Sequence, residues 1–501
     1  GDELRERLLA GYRHILVDEY QDIDQRQYDL ISALAGRQMQ DRDAKLTLLA
    51  VGDDDQNIYT FRGTSNTFIQ RFQEDYQARV EYLVDNYRST ANIIHTANAV
   101  IEPHLGRLKR EHPIRINHAR QHDAPGGRWQ KIDGLGQGRV QIISVPDDAI
   151  GQAMAAMAEV KRLKALDPTA DCSDFAVLAR NRATLDPVRA WCQHEDVRYQ
   201  LSERDNAGPK FHQTREACGL LDMLRHKPAR RLRPGLLARW FNCRFGGSQQ
   251  ENPWLALLHQ FIAEMDCVWG TIPMPSRTVI EELHEFGADA ARSDRDRLTL
   301  STVHAAKGRE FRHVVILDGR DWRDPSDAER RLYYVGMTRA QENLVLCQSS
   351  RQPNPFSPPL VSEAVVRTES PHFTDRPKHL GWKYKSLGLA DVDLGYGARQ
   401  PEGTAFHRAV EQLDYGEALD LVADGPRSEL RSRRDGTVVG RLSKGAVLPQ
   451  GKVVAVSVEA LMRRLHSQSD PKYAHLDKIP RWWVVLATVV VDPEEIAMNP
   501  D

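Results

Sequence analysis

The segment Ile15-Leu16-Val17-Asp18-Glu19 constrains the fold of this 501-residue chain more than any other stretch. Its β-branched and aliphatic residues predict a buried parallel strand, and the strand ends in two adjacent carboxylates. In an open α/β sheet, ligands bind beyond the carboxyl ends of the strands. Two acids in that place can hold Mg²⁺ and direct a water at a nucleotide phosphate, although many ordinary strands also end in Asp-Glu.

The same order of strand, polar loop and helix repeats along the chain. Leu46–Val51 leads into Gly52-Asp53-Asp54-Asp55-Gln56, and a predicted strand at 79–84 leads into Asn86-Tyr87-Arg88-Ser89. Further strands are predicted at 140–145, 175–179, 298–303, 314–317 and 344–347, and helices at 24–36, 150–166 and 328–336. This alternation predicts a parallel, doubly wound α/β sheet.

Bulk composition leaves the function open, because the net charge is -2 and any polyanion site must be a local patch. The basic stretch 104–131 is one candidate, either as a phosphate-backbone contact or as a solvated loop. The longest apolar run, Trp482–Val491, is far shorter than the ~20 residues of a membrane span. The six cysteines have no metal-ligand spacing, which predicts reduced cytosolic thiols.

Four polar loops need a common chemical explanation. The loop 52–63 combines Gln56, which can orient a water or sense a phosphate, with aromatic and arginine side chains that stack on unpaired bases. The loop 86–89 adds a second ring and a guanidinium. The segment 301–311 follows a strand and its N–H groups suit anions, while Arg339 offers a guanidinium for phosphoryl transfer.

These motifs closely resemble the second to sixth motifs of the superfamily 1A DNA helicases of the UvrD/Rep type. They occur in the family's order as DEYQD, VGDDDQNIYTFRG, NYRS, STVHAAKGREF and RRLYYVGMTRA. The resemblance implies an ATP-dependent DNA helicase or translocase that uses ATP and Mg²⁺ and acts on single-stranded and duplex DNA. It further implies 3′ to 5′ movement and a cytoplasmic, nucleoid-associated location, with no membrane partner.

The position of each residue within these motifs implies its role by resemblance to the family. The resemblance implies that Asp18 and Glu19 hold Mg²⁺ and that Glu19 activates water. It implies that Gln56 contacts the γ-phosphate and that Arg88 and Arg339 act as arginine fingers. The residues implied for ATP binding are Asp18, Gln56, Tyr87 (adenine), Arg88, Glu310 (ribose) and Arg339. The residues implied for DNA binding are Tyr59, Phe61, Arg62, Thr302, His304 and Lys307.

The predicted fold is α/β, with an incomplete first RecA-like domain, a second RecA-like domain that carries a helical insertion, and a small β-rich carboxyl-terminal domain. The predicted boundaries are 1–90 for the first RecA-like domain, 91–210 and 298–350 for the second, 211–297 for the insertion, 351–377 for a proline-rich linker and 378–501 for the β-rich domain. Docking of nucleic acid or of a protein partner is our hypothesis for the last domain.

One departure from the family pattern matters for activity. The family's phosphate-binding loop, GxxxxGK[ST], has no match in this sequence, and the Gly451-Lys452 pair is followed by Val453. We therefore expect this chain to be the carboxyl-terminal portion of a longer helicase, with negligible ATP hydrolysis by itself.

Two other functions remain open from the sequence. One is a non-catalytic DNA-binding or regulatory protein that kept the helicase fold. The other is a nuclease, because Gly403-Thr404-Ala405-Phe406-His407 faintly resembles the opening motif of nuclease domains fused to related helicases. Those domains also need a later Asp and an acid-x-Lys pair that share a metal, and we find no such set between residues 408 and 501.

Overall fold

Parallel strands organise the first of two compact units. The computed structural model describes residues 9, 11–39, 45–59, 67–146, 148–202, 209–226, 231–246, 252–289, 296–425 and 427–493. The chain divides into residues 1–202 with 295–376, which we call unit 1, and residues 203–294 with 377–501, which we call unit 2. Each unit is described by itself below.

A seven-stranded parallel sheet forms the centre of unit 1. The strands lie side by side in the order Val365–Glu369, Val140–Val145, Ala340–Ser349, Phe311–Ile316, Phe175–Ala179, Leu298–Thr302 and Tyr199–Ser202. The predicted mixed α/β class with a large parallel sheet is therefore confirmed.

Helices cover both faces of this sheet, so its central strands are apolar on both sides. In Phe175–Ala179, the side chains of Phe175, Val177 and Ala179 pack in one core, and those of Ala176 and Leu178 pack in the other. This alternation follows from the pleat of a strand, which points successive side chains to opposite faces. The helices of unit 1 are Gln25–Ala35, Thr67–Tyr76, Ala91–Ile101, Trp129–Ile132, Ala149–Leu166, Asp186–His194 and Asp327–Met337.

A second, smaller sheet carries the first acidic motif. His14–Val17 pairs in parallel with Thr47–Ala50, with Ile15 opposite Leu48. Helix Gln25–Ala35 begins at a capping box between Asp24 and Gln27. One face of the sheet packs on helices, but Leu16 is 74% exposed and Leu49 is 54% exposed. The prediction of a fully buried strand is therefore wrong at Leu16, because no element of the described chain covers that face.

Two other predicted elements differ from the structure. Residues 79–84 form no strand, and pairing begins at Asp85–Asn86, which lies beside Arg115–Ile116. The predicted linker 351–377 contributes the edge strand Val365–Glu369 and buries Phe356 and Leu360 in the core. Its six prolines therefore mark an irregular but packed segment and not a free linker.

Unit 2 combines the helical insertion with the carboxyl-terminal strands. Its helices are Arg215–His226, Pro234–Phe245, Pro253–Trp269, Ser276–Asp289 and Ala405–Glu411. Its strands form two three-stranded antiparallel sheets. The first contains Lys383–Ser386, Arg481–Asp492 and Lys452–Leu465. The second contains Leu419–Asp424, Arg427–Ser432 and Val438–Arg441. Trp254 packs against both the helical and the β core, and its Nε1 donates to the Glu459 carbonyl at 2.7 Å. The β-rich segment therefore shares one compact unit with the insertion, whereas we expected a separate domain.

No helix in the described part of the chain combines the length and the hydropathy that crossing a bilayer requires.

Candidate functional site

The two acids of the first motif lie where the strand His14–Val17 ends. Glu19 adopts a left-handed backbone conformation, with φ 51° and ψ 40°, and caps the short helical turn Tyr20–Asp22. Asp18 Oδ1 accepts a hydrogen bond from the Glu19 N–H at 2.8 Å. A left-handed glutamate is costly, and such strain is concentrated at functional sites. The tight turn leaves both carboxylates exposed at the end of the strand.

Gln21 joins this motif to the loop after the neighbouring strand. Its side chain is fully buried, donates to Glu19 through Nε2 and accepts from the Asp53 N–H at 2.9 Å through Oε1. A Cβ atom on Gly52 would lie 2.7 Å from Gln21 Oε1, so any other residue there would displace the Gln21 amide. Gln21 had no assigned role in the sequence, yet it fixes the relative position of the two loops.

Gln56 connects the first sheet to the seven-stranded sheet. Its Nε2 donates to Asp53 Oδ2 at 2.9 Å, and its Oε1 accepts from Arg339 Nη2 at 3.3 Å. Its backbone carbonyl accepts from Lys307 Nζ at 2.8 Å. Three of the motifs therefore meet at one residue, through its side chain and its backbone carbonyl.

Arg339 is deeply enclosed, with 2% of its surface exposed. Its Nε donates to the Val335 carbonyl at 3.0 Å and its Nη1 to the Arg309 carbonyl at 3.3 Å. Burial, assisted by the nearby Arg88 charge, lowers the pKa of Arg339 to about 10. The guanidinium remains charged at neutral pH and is aimed at Gln56 by backbone carbonyls.

Arg88 forms a second cluster beside the first. Its guanidinium pairs with Glu310 and donates to the Thr338 carbonyl at 3.3 Å, immediately before Arg339 in sequence. Burial opposes ionisation of Glu310, but the Arg88 hydrogen bond and charge prevail and hold its pKa below the usual range. Asn86 Oδ1 accepts from the Arg88 and Ser89 N–H groups at 2.9 and 2.8 Å, which fixes the loop.

A cavity of about 800 Å³ lies next to this second cluster. Tyr87, Arg88 and Glu310 line it, and the Tyr87 side chain is 72% exposed. The residues implied for adenine and ribose contact therefore face the same space. An exposed ring beside a carboxylate and a guanidinium suits a base and a sugar.

Lys307 is not placed for the DNA contact that the resemblance implied. It is 2% exposed, and its ammonium group lies 2.5 Å from Asp22 Oδ2 and 3.6 Å from Glu19 Oε2. The Lys307 ammonium group is therefore paired with acids inside the protein and does not face solvent. Lys307 instead joins the fifth motif to the first acidic motif.

Tyr59 and His304 lie together, as expected for parts of one surface. The Tyr59 hydroxyl donates to the His304 carbonyl at 3.1 Å, and the two rings are 6.0 Å apart. Thr302 Oγ1 accepts from the Ala305 N–H at 3.3 Å and so shapes the turn that carries His304. Phe61 and Arg62, also implied in DNA binding, lie outside the described residues.

The carboxylates at the strand end fit a hard divalent cation. Asp18 and Glu19 offer exposed oxygen ligands, which are the ligands that Mg²⁺ prefers. Within the described residues, the group of three side chains close enough to share a metal is instead Asp53, Asp54 and Asp55. Their charge is already matched by Arg107 and Lys109, at 2.7 Å from Asp55 and 2.6 Å from Asp53 respectively.

Two family models match the chain. The UvrD/REP helicase N-terminal domain matches residues 1–77, and the UvrD-like helicase C-terminal domain matches residues 297–347. These two stretches are UvrD-like helicase sequence. The matched stretches of this UvrD-like chain contain Asp18, Glu19 and Gln56 on one side and Glu310 and Arg339 on the other.

Curated relatives of this UvrD-like chain are named as helicases. ATP-dependent DNA helicase UvrD1 of Mycobacterium leprae (strain TN) is 26% identical over 492 residues, covering 77% of this chain and 61% of the relative. UvrD1 of Mycobacterium tuberculosis (strain ATCC 25618 / H37Rv) is 46% identical over 100 residues, covering 20% of this chain and 13% of the relative. DNA helicase II of Escherichia coli (strain K12) is 28% identical, covering 85% of this chain and 69% of the relative. The chain thus spans 61% of the length of the first of these relatives.

A solved structure, the C-terminal domain of a possible DNA helicase from Lactobacillus plantarum WCFS1, aligns with 56% of this UvrD-like chain and 98% of that chain. The identity is 12% and the TM-score is 0.25, which is too low to support an argument about the fold.

Proposed function

We propose that this UvrD-like chain is the motor part of an ATP-dependent DNA helicase or translocase that moves 3′ to 5′ on single-stranded DNA. The observation that carries the proposal is the contact between Arg339 and Gln56. This contact joins the loop that follows the two-stranded sheet to the turn between helix Asp327–Met337 and strand Ala340–Ser349 of the seven-stranded sheet. A nucleotide held between such loops would link its phosphates to both sheets at once.

Each residue of the site has a defined task in the proposed ATP hydrolysis. The Tyr87 ring stacks on the base, and the Glu310 carboxylate accepts a hydrogen bond from a ribose hydroxyl. Glu19 accepts a proton from the attacking water at its carboxylate, and Gln56 orients that water. Arg88 and Arg339 offset the negative charge that develops on the transferred phosphoryl group.

Asp18 and Glu19 are the residues that would hold Mg²⁺, which supplies further charge neutralisation when bound. The chain itself lacks the GxxxxGK[ST] sequence. We therefore propose that the 501-residue polypeptide binds ATP weakly and does not turn it over at a useful rate. An ATPase assay with excess single-stranded DNA tests this part, and robust turnover would contradict it.

Tyr59 couples the nucleotide site to DNA binding, because it lies three residues after Gln56 in the same loop. A ring that is braced by the His304 carbonyl can stack on a base, and its position depends on the loop that carries Gln56. Such an arrangement lets the nucleotide site alter the grip on a single strand. A motor of this type would work on chromosomal DNA, at the nucleoid.

Binding of labelled single-stranded DNA, followed by fluorescence anisotropy, tests the DNA part of the proposal. We expect Tyr59→Ala to weaken binding about 10-fold, since stacking on a base contributes ~1–3 kcal/mol. Tyr59→Phe keeps the ring and should bind within about two-fold of the parent. Tyr12, which is 64% exposed and lies away from these loops in sequence, provides the control Tyr12→Ala. Equal affinities for all four proteins would refute the assignment.

A non-catalytic DNA-binding protein is the second candidate, favoured by the missing phosphate-loop sequence. The two candidates differ at the nucleotide cavity. A motor part binds a fluorescent ATP analogue in a manner that Tyr87→Ala weakens, whereas a purely DNA-binding protein shows no such dependence.

A further inference from the structure

Two cations of the basic stretch 104–131, Arg107 and Lys109, have a different role from the two that the sequence left open. Arg107 is neither solvated nor available to a phosphate backbone, because its side chain is 4% exposed. Its Nε and Nη2 donate to the two oxygens of Asp55 at 2.8 and 2.7 Å. The Leu108 N–H donates to Asp54 Oδ2 at 2.5 Å, and Lys109 Nζ lies 2.6 Å from Asp53 Oδ1.

Consecutive residues of one segment therefore bind consecutive acids of the other. Three adjacent carboxylates would repel one another, and burial raises the pKa of Asp54 further. The two cations offset this repulsion, with Lys109 also 3.4 Å from Asp55 Oδ2. Burial alone would lower the pKa of Lys109, but the Asp53 and Asp55 charges raise it, so the ammonium stays charged.

The Asp53 carboxylate contacts both Lys109 and Gln56. One of its oxygens, Oδ1, faces Lys109, and the other, Oδ2, accepts from Gln56 Nε2 at 2.9 Å. A carboxylate can only accept hydrogen bonds, so the amide nitrogen of Gln56 must face it. The amide oxygen must then face Arg339, whose guanidinium can only donate. The orientation of Gln56 is thereby specified from both sides.

We propose that Lys109 and Arg107 are positioning residues for Gln56, acting through Asp53 and Asp55. Neither cation touches the predicted nucleotide site, and both act by holding the acidic loop in one conformation. The catalytic consequence rests on the proposed function, but the positioning itself does not. The loop would keep Gln56 oriented whatever ligand the protein binds.

The side-chain amide signals of Gln56 report this orientation directly. The full chain, deuterated and labelled with ¹⁵N at glutamine, is studied by NMR without DNA or nucleotide, and Gln56→Glu identifies the signals by their loss. We expect Lys109→Met to shift or split the Gln56 side-chain signals, because Asp53 is no longer held. Lys109→Arg retains the charge and should restore the parent position.

Lys131 supplies the matched control, since it belongs to the same basic stretch and is exposed. Lys131→Met should leave the Gln56 signals unchanged. Unchanged signals in folded Lys109→Met would overturn the proposal.

If Lys109→Met does not fold, Asp53→Asn keeps the shape of the loop and removes the charge that Lys109 holds. We expect that variant also to shift the Gln56 signals, and parent-like signals would likewise overturn the proposal. Because the NMR experiment contains neither DNA nor ATP, it tests the positioning alone. Failure of the proposed function would instead appear in the DNA-binding experiment with Tyr59→Ala.

Discussion

The ammonium group of Lys307 lies 2.5 Å from the carboxylate of Asp22, so the fifth motif is tied to the first acidic motif by a buried ion pair. Removing one partner of such a pair leaves the other charge poorly solvated. This contact makes Lys307 a residue of the interior, and its substitution should affect stability before it affects DNA binding.

We expect Lys307→Met to destabilise unit 1 by about 2–3 kcal/mol, at the lower end for a buried pair because Asp22 is partly exposed. Calorimetric unfolding measures this change, and a cycle with Asp22→Asn isolates the pairwise contribution. The exposed Lys131→Met is the control. A larger loss of DNA affinity than for Tyr59→Ala, without loss of stability, would show that Lys307 contacts DNA instead.

Arg339→Lys tests whether the guanidinium fork is required. The arginine donates to the Val335 and Arg309 carbonyls and to Gln56, and a lysine ammonium cannot reach all three from one position. We expect a loss of about 2 kcal/mol in the stability of unit 1, since the Arg309 carbonyl and Gln56 Oε1 cannot both keep a donor. The Val335 carbonyl still accepts from Thr338 Oγ1 at 3.0 Å. Arg351→Lys, at an exposed position, should be neutral in the same unfolding experiment.

The left-handed backbone of Glu19 predicts an unusual order of stabilities. Glycine adopts φ 51° without steric cost, whereas alanine does not. Glu19→Gly should therefore be more stable than Glu19→Ala by about 1 kcal/mol, the reverse of the usual order in a regular helix. Thermal unfolding of the two variants decides this, and equal or reversed stabilities would show that the turn relaxes. Both variants lack the carboxylate that the proposed mechanism uses.

Because His313 is buried, we expect the folded protein to lose stability in mild acid. Its ring is buried against Trp129 and Phe175, and burial lowers its pKa from 6.5 to about 4. Between these values the unfolded chain binds a proton that the folded chain does not, so stability is full above pH 6.5 and falls as the pH approaches 4. The shift corresponds to a loss on the order of 3 kcal/mol.

His313→Gln removes the titrating group while leaving an oxygen that can accept from Asn343 Nδ2, as His313 Nδ1 does at 3.1 Å. Its unfolding free energy should change less between pH 6.5 and 4 than that of the parent. His118→Gln, at an exposed position, should keep the parent slope. Identical slopes for all three proteins would exclude His313 as the source.

Sequence reasoning predicted the buried strands of the large sheet because they are apolar on both faces. Phe175–Ala179 has that pattern, and so does the predicted segment 314–317, although the strand in the structure is Phe311–Ile316. It failed for Val365–Glu369, since an edge strand is only half buried and a proline-rich stretch precedes it. It failed again at Leu16, where the pattern of a buried strand is present without a covering layer.

The candidate site was predictable only where its residues belong to motifs. Gln56 and Arg339 are neighbours in space as their motif positions implied. Arg107 and Lys109 were not recognisable, because an ion pair between segments about 50 residues apart has no local sequence signal. Lys307 belongs to a motif but faces inward, and no spacing rule tells a buried lysine from one on the surface.

The order of strands in the seven-stranded sheet has a consequence for synthesis of the chain. Every pair of neighbours in that sheet includes a strand that begins at residue 298 or later. Strands 140–145, 175–179 and 199–202 therefore leave the ribosome with no partner among themselves. At 5–20 residues per second, the last of them waits roughly 5–20 s for its neighbour, with apolar edges unpaired. During that interval the unpaired strand edges are open to pairing with another chain, which is a route to aggregation.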